Sequence, residues 1–461
     1  MSLNDTLRQF GQEHLIQHLA TLNSQEREQL EAQLRSIDFE QIYALAAGHD
    51  DSPDWEALSA RAEPPPAVRL NAKDPLFTSD AAIHAGEKSL RAGQIATIIV
   101  AGGQGTRLGF ESPKGIFPIG PLSGRTLFQM HIDRVRATMD RYQVSIPIYV
   151  MTSPATDDET RQYFESNKNF GLQPDQLVIF CQGTMPAVDA ATGKLLLSTR
   201  TALALSPDGH GGLIGALHKN GCLLNSSRRG IEHFFYAQVD NPLVQLCDPQ
   251  LIGYHLLSES QVTTQVVGKR FAQEKVGNVV SIDGKIQIIE YSDLANEFAA
   301  RTESDGSLKL WAGNIAVHVF QRQFLEAVTG SVSGLPFHRA LKAVPFLNPA
   351  GEIENPSQPN AVKFERFVFD LLPLAERSIV IEGDAAEIFA PVKNADGSPV
   401  DTPMQAKEAI VQLHRRWLLE AGVQIADEVR VEIHPAWALD GNEVKRRAQP
   451  NLKLTTDTLL L

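Results

Sequence analysis

ATIIVAGGQGTRLGFESPKGIFPIG, residues 96–120, is the stretch on which the reading of this chain turns. The apolar, β-branched run from Ile95 to Val100 breaks into glycines, which predicts a buried strand ending in a turn. Glycines let a backbone take positive φ and let a ligand come close to the main chain. Successive N–H groups in such a turn form a concavity suited to an anion. Arg107 and Lys114 place two cations within reach of that anion. This is the make-up of a loop that holds a polyphosphate.

Two familiar phosphate loops do not fit. A P-loop requires G-x-x-x-x-G-K-[ST], and Lys114 here lies between Pro113 and Gly115. The dinucleotide fingerprint requires G-x-G-x-x-G, and Leu108 stands where its last glycine belongs. What remains is G-G-x-G-T-R-L-G-x-x-x-P-K, which resembles the signature of nucleotide-sugar pyrophosphorylases.

The 461 residues suffice for one large domain with satellites, or for two to three domains of roughly 150 residues. Mean hydropathy is -0.16 and charged residues make up 21%, as in an ordinary globular protein. No apolar run approaches the roughly 20 residues that span a bilayer, so no membrane partner is expected. A net charge of -13 argues against a nucleic-acid surface. Cys181, Cys222 and Cys247 are scattered and form no C-x-x-C, which points to a reducing cytoplasm. Oligomeric state stays open.

Along the chain, residues 1–62 read as helices, with Asn23 and Glu26 spaced as a capping box. Pro64 to Pro66 is a stiff spacer. A link over Asn71–Asp80 leads to a helix over 81–92. Helices over 126–142 and 156–167 alternate with strands over 146–151 and 177–181. That alternation predicts an α/β sheet with mainly parallel strands, whose ligands bind beyond the carboxyl ends. Gln182-Gly-Thr-Met-Pro follows one such end, and Asp240-Asn-Pro another. A lone Asp at a strand end beside phosphates is a candidate Mg²⁺ ligand, although Asp-Asn-Pro is also a common turn. Pro207-Asp-Gly-His-Gly-Gly reads equally as a helix start or as a backbone wrap around a base or ribose, with His210 available to hydrogen-bond. Residues 262–291 read as strands with a hairpin at Asp283-Gly284, and Glu290 ends one of them. Asn360–Asp370 is predicted to start a helix with Phe364, Phe367 and Val368 inward. Lys363 would then sit at a helix start, where a dipole disfavours a cation, and that hints at a bound anion. Thr402–Gly422 reads as a helix, and residues 429–435 as a strand. The expected divisions are 1–92, a helical region; 93–385, the main domain; and 386–461, a small C-terminal domain.

Nine separated motifs agree in order: AGGQGTRLGFESPKG, QGTMPA, PDGHGG, QVDNPLVQLCDP, VGNVV…IIEYSDL, AGNIAVH, PNAVKFERFVFD, APVKNAD and VEIHP. Together they resemble the UDP-N-acetylglucosamine pyrophosphorylases of eukaryotic type, within the wider group of UDP-sugar pyrophosphorylases. The resemblance runs from about residue 95 to about 437. It implies a mixed, mainly parallel Rossmann-like nucleotidyltransferase sheet with N-terminal helical and small C-terminal appendages. It implies the substrates UTP and a sugar 1-phosphate, the products UDP-sugar and pyrophosphate, and Mg²⁺ as cofactor. By the same resemblance, Ala101, Gly102, Gly103, Gly105 and Thr106 hold uridine and phosphates, and Gln182 and Gly209 contact the uracil, with His210 beside them. Arg107 and Lys114 bind the triphosphate and the leaving pyrophosphate. Lys363 and Lys393 neutralise phosphates, Asp240 holds Mg²⁺, and Gly277, Glu290 and Asn314 hold the sugar. Two positions depart from the pattern. His210 stands where the acetylglucosamine enzymes have Asn, as in the UDP-glucose enzymes, and Val317 stands where Asn is commoner. The sugar thus stays open among glucose, galactose and their N-acetylated forms.

The chemistry expected is in-line attack of a sugar 1-phosphate oxygen on the α-phosphorus of UTP. A phosphate nucleophile needs no strong base at neutral pH. The protein must hold two mutually repelling anions in line and stabilise their charge. A non-catalytic nucleotide-sugar sensor that keeps the pocket is the alternative from another class.

Overall fold

The computed structural model describes residues 2–48, 54–70, 72, 76–330, 335–449 and 451–461. The chain forms two compact units, each discontinuous in sequence. The smaller comprises Met1–Asp54, Gln182–Leu213 and Ser333–Val368; the larger comprises Trp55–Cys181, Ile214–Val332 and Phe369–Leu461. The 71–80 link falls partly outside the described residues.

The larger unit is built on a ten-stranded sheet. Its main path runs Ala67–Val68, Ser378–Glu382, Val262–Gly268, Ala312–Gln321, His233–Gln238, Ile95–Val100, Ile148–Thr152, Leu177–Cys181. Neighbours along this path are parallel, except where Ala312–Gln321 runs antiparallel to both of its neighbours. This is the mainly parallel sheet that the alternation of elements predicts, with the mixed character that the resemblance implies. Ile95 to Ile99 are fully buried, as a strand covered on both faces requires. The hairpin Asn278–Ile282 and Lys285–Ile289 turns at Asp283 and Gly284, both at positive φ, the geometry that Asp-Gly favours.

The helix Leu127–Tyr142 begins at a capping box of Thr126 and Gln129 and lays Ile132, Val135 and Met139 into the main core. The helix Pro403–Glu420 is capped likewise by Thr402 and Gln405, and its Ile410, Leu413 and Trp417 join that same core. On this helix, buried His414 accepts the Ile433 N–H at Nδ1, 3.0 Å away, tying it to the strand Val431–Ile433. Ser79–Arg91 and Pro249–Leu257 cross with almost no spacing between their backbones. A Cβ on Gly86 would lie 1.8 Å from the Pro249 carbonyl oxygen, and one on Gly253 would lie 1.7 Å from that of Ala82. Among the described residues no helix is long and apolar enough to cross a membrane.

In the smaller unit, the expected N-terminal helices are present, and Asn23 and Glu26 form their capping box. Leu7, Leu15, Leu19, Leu30 and Leu34 bury one stripe against Met185, Val188, Leu195, Val362 and Phe364. Gln12, 6% exposed, fastens them by accepting the Leu195 N–H at 2.9 Å.

The helix expected over Asn360–Asp370 is not formed. Ala361–Glu365 is a strand between His338–Lys342 and Val188–Asp189, and a 3₁₀ segment follows at Val368–Leu374. Val362 and Phe364 are buried while Lys363 and Glu365 are only half-buried, so the operative period is two. Phe364 and Val368 do lie inward as expected, but Phe367 is half-buried. With no helix start at Lys363, the dipole argument for an anion there falls away.

Gly86→Ala or Gly253→Ala is expected to cost about 3 kcal/mol, because backbone and not a flexible side chain fills the space; an unchanged thermal midpoint would contradict the close crossing. Burial pushes the His414 ring down to about 3. Its folded value lies below the unfolded value, so its contribution is full above about pH 6.5 and is lost as pH falls towards 3. Replacing His414 by Gln should therefore flatten the acid limb of stability between pH 6.5 and 4 in denaturant titrations; an identical slope would rule the ring out as a contributor.

Candidate active site

In the larger unit, two adjacent parallel strands, Ile95–Val100 and His233–Gln238, end side by side. From the first, the glycine loop leaves under close control. The Ala101 N–H donates to the Met151 carbonyl, Ser153 Oγ donates to the Gly102 carbonyl at 2.7 Å, and the Lys114 N–H donates to the Gly103 carbonyl at 3.0 Å. The loop is thus folded back on itself, which sets Lys114 beside its beginning. Among the described residues the amides of Gly102 and Gly103 meet no acceptor, and a Cβ on Gly103 would stand in open space. These are the N–H groups that can face an anion. Gly105 serves another purpose. A Cβ there would lie 2.7 Å from the Phe110 ring and 2.8 Å from its carbonyl oxygen, so the fold itself excludes a side chain. Thr106 and Arg107 are exposed on the short 3₁₀ turn that follows.

From the second strand comes Asp240, 9% exposed. Lys114 Nζ lies 3.8 Å from Asp240 Oδ2, which makes this the ion pair at the joint end of the two strands. The Asp240 turn is fixed by residues whose roles the sequence does not announce. Asn241, 3% exposed, donates Nδ2 to the Ile388 carbonyl at 2.7 Å and accepts the Ala390 and Leu243 N–H groups at Oδ1. Buried His131 contacts the Val239 carbonyl at 3.0 Å through Nε2, and burial lowers its pKa to about 4, so the neutral ring acts as donor. The Asp240 carbonyl accepts the Val392 N–H, and the Lys393 N–H goes to the Asp401 carbonyl, so half-buried Lys393 follows directly from the Asp240 turn.

The three residues assigned to the sugar stand together. The Asn314 N–H donates to the Gly277 carbonyl at 2.8 Å, and a Cβ on Gly277 would lie 3.0 Å from Glu290 Oε1 and 3.6 Å from the Asn314 Cβ. A β-bulge aims Asn314. The strand register shifts opposite Gln265 and Val266, Ala316 takes φ +56°, and Asn314 Oδ1 accepts the Ala316 N–H.

The smaller unit carries the remaining candidates. Gly209 has φ +82°, and a Cβ there would meet the Arg366 carbonyl oxygen at 2.3 Å. The Arg366 N–H donates to the Asp208 carbonyl and the Gly211 N–H to the Arg366 carbonyl, so the glycine turn is laced to the chain segment after Lys363. Asp208, 9% exposed, joins this turn to the one after Gln182. Its N–H donates to the Gly183 carbonyl, and its carboxylate occupies the space of a Cβ on either Gly183 or Gly212. Gln182 is itself buried. His210 accepts the Val368 N–H at Nδ1 and packs its ring on Phe367, and burial holds it down to about 4, hence neutral. Lys363 is half-buried on its strand.

The sequence profile of the UTP–glucose-1-phosphate uridylyltransferase family matches residues 39–434. The chain is similar to human UDP-N-acetylhexosamine pyrophosphorylase-like protein 1, at 37% identity over 94% of this chain and 87% of that protein. It is similar to the UDP-N-acetylglucosamine pyrophosphorylase of Saccharomyces cerevisiae, at 36% identity over 78% of this chain and 77% of that one. The crystal structure of the UDP-N-acetylglucosamine pyrophosphorylase of Trypanosoma brucei, in complex with an inhibitor, superposes with a TM-score of 0.82 at 26% identity, covering 99% of each chain.

Asn241→Ala removes the partner of the Ile388 carbonyl, of the buried Leu243 N–H and of the half-buried Ala390 N–H. It should cost about 3 kcal/mol, read as a lower denaturant midpoint, and an unchanged midpoint would show that the Asp240 turn does not depend on it.

Proposed function

The chain belongs to the UTP–glucose-1-phosphate uridylyltransferase family, and from that premise we propose that it joins UTP to an N-acetylhexosamine 1-phosphate. The enzyme is a nucleotidyltransferase, and its products are a UDP-sugar and pyrophosphate. The observation that carries the reading is the larger unit's arrangement: free glycine amides, the Lys114–Asp240 pair, and the cluster of Gly277, Glu290 and Asn314. Glu290 and Asn314 offer an acceptor and an amide to sugar hydroxyls or to an acetamido group, and the missing side chain of Gly277 lets Glu290 and Asn314 stand against it. His210 does not argue for a glucose enzyme, because its hydrogen bond to Val368 and its packing on Phe367 account for it within the smaller unit.

In this reading a phosphate oxygen of the sugar 1-phosphate forms the new bond to the α-phosphorus of UTP. The bond from that phosphorus to the bridging oxygen breaks, and pyrophosphate leaves with its electron pair. The amides of Gly102 and Gly103 and the cations of Arg107 and Lys114 hold the triphosphate and stabilise charge on the departing pyrophosphate. Lys363 and Lys393 offset the sugar phosphate and product charge. Gln182 and the Gly209 turn, held rigid by Asp208, suit an edge of the uracil. Asp240 fits Mg²⁺. Its carboxylate is a hard oxygen donor, and Mg²⁺ is usually held by one or two carboxylates with substrate phosphates and water as its other ligands. Bound at Asp240, Mg²⁺ supplies screening of the charge that both substrates carry.

Pyrophosphate release from UTP and Mg²⁺, measured against a panel of sugar 1-phosphates, tests the substrate. N-acetylglucosamine or N-acetylgalactosamine 1-phosphate should give the largest kcat/KM; glucose 1-phosphate as the best substrate would overturn the proposal. Arg107→Ala and Lys114→Ala should each lower kcat by about 100-fold or more on folded protein, and normal turnover in either would remove that residue from the site. Asp240→Asn should raise the Mg²⁺ concentration needed for half-maximal rate, whereas an unchanged Mg²⁺ titration would release Asp240 from that role.

A further inference from the structure

One motif has no part in the proposed chemistry: Val-Glu-Ile-His-Pro, residues 431–435. Its strand Val431–Ile433 lies far from the Lys114 loop in sequence, yet Glu432 on it reaches Leu122 and Ser123 of the segment that continues that loop. Glu432 is 3% exposed. Its Oε2 accepts the Leu122 N–H at 2.7 Å and the Ser123 N–H at 2.8 Å, and its Oε1 accepts the Ser123 hydroxyl at 2.6 Å. A buried carboxylate that closes on the tip of a loop through three hydrogen bonds is a strong local restraint, because charge-assisted bonds to N–H and O–H donors are short and directional. Two residues on, His434 Nε2 bonds to Arg125 of the same loop, and the Arg125 guanidinium pairs with Asp133. There is no room for play at the loop's start either. A Cβ on Gly120 would lie 2.2 Å from Ser123 Oγ and 3.1 Å from Glu432 Oε1.

The gripped loop is a continuation of the Lys114 turn. The Ile119 N–H donates to the Arg125 carbonyl, the Leu127 N–H to the Phe117 carbonyl, and the Phe117 N–H to the Lys114 carbonyl. The turn rests on Phe128, whose ring would stand 2.2 Å from a Cβ on Gly115. Glu432 thus grips Ser123, whose Oγ accepts the Arg125 N–H; the Ile119–Arg125 and Leu127–Phe117 bonds flank the Pro118–Thr126 bridge, and the Phe117 N–H closes on the Lys114 carbonyl, while the Lys114 ammonium lies 3.8 Å from Asp240.

We propose that Glu432 is a positioning residue of the uridylyl-transfer site, acting through the loop 118–126 to hold Lys114 opposite Asp240. The proposal rests on the role given to Lys114 above. Displacement of a charge by about 1 Å is enough to lower a rate by orders of magnitude in a site that works by alignment.

A double-mutant cycle decides the point. Glu432→Ala should lower kcat at least 10-fold with KM for UTP changed by less than 3-fold. Glu432→Gln should recover most of that loss, because its oxygen keeps the two N–H groups and the Ser123 hydroxyl can turn to accept from its amide. In a Lys114→Ala background, Glu432→Ala should produce no further fall in kcat, since the residue it positions is gone. Full turnover in Glu432→Ala, or losses that multiply in the double variant, would overturn the proposal. If Glu432→Ala fails to fold, Ser123→Ala, which removes the hydroxyl's bond to Glu432 and its acceptance of the Arg125 N–H but leaves the Glu432 bonds to the Leu122 and Ser123 N–H groups, takes its place in the same cycle. Its expected loss is smaller, about 3-fold, and full turnover or multiplying losses would overturn the proposal there too. If instead Lys114→Ala alone turns over normally, it is the role of Lys114 that fails, an outcome distinct from either result at Glu432.

Discussion

An ammonium and a carboxylate 3.8 Å apart, Lys114 and Asp240, mark the point on which the larger unit is built. Local backbone bonds fold the Lys114 loop back on itself, but they do not place it opposite Asp240 by themselves. Lys114 follows one strand by a loop that must bend back on itself, and Asp240 follows the neighbouring strand by a turn with no regular structure. Each is placed by polar side chains whose partners lie elsewhere in the chain. His131 and Asn241 fix the Asp240 turn, Ser153 fixes the start of the glycine loop, and Glu432 and His434 fix its continuation. A site that works by aligning repelling phosphates depends on such fixation, because its rate enhancement comes from preorganised charge.

The glycines of the unit answer to two different demands. Gly103 faces open space and leaves the main chain approachable. Gly105, Gly115 and Gly120 are excluded from bearing a side chain by Phe110, Phe128 and Ser123 respectively. One short motif thus encodes both an anion surface and the close packing that keeps it rigid. In the smaller unit Gly209 and Gly212 behave like the second class, wrapped around Arg366 and Asp208.

Much of this was legible in the sequence where the signal is local. The run Ile95–Val100 with its glycines, the capping boxes at Asn23 and Thr126 and the Asp283-Gly284 hairpin are all written in a few adjacent residues. The gathering of Gly277, Glu290 and Asn314 came from the family resemblance, and spacing alone does not reveal it. Misreading Asn360–Asp370 as a helix has a physical cause. Its aromatic and β-branched residues satisfy either period, and the choice is made by strands at 188–189 and 338–342 that lie well away in sequence. Asn241, His131, Asp208 and Glu432 carry no local signal for a similar reason, since each is an ordinary polar residue with partners distant in sequence. The bulge at Ala316 could not be read either, because only its pairing with Val262–Gly268 reveals it.

At the centre of the account is a single displacement at the α-phosphorus, aligned by fixed charge and not routed through a covalent uridylyl-enzyme. The direct test is stereochemical. With UTP carrying one sulfur of defined configuration at the α-phosphorus and N-acetylglucosamine 1-phosphate as partner, ³¹P spectra of the product report that configuration. Inversion is the result the account predicts; retention would mean two successive displacements and would contradict it.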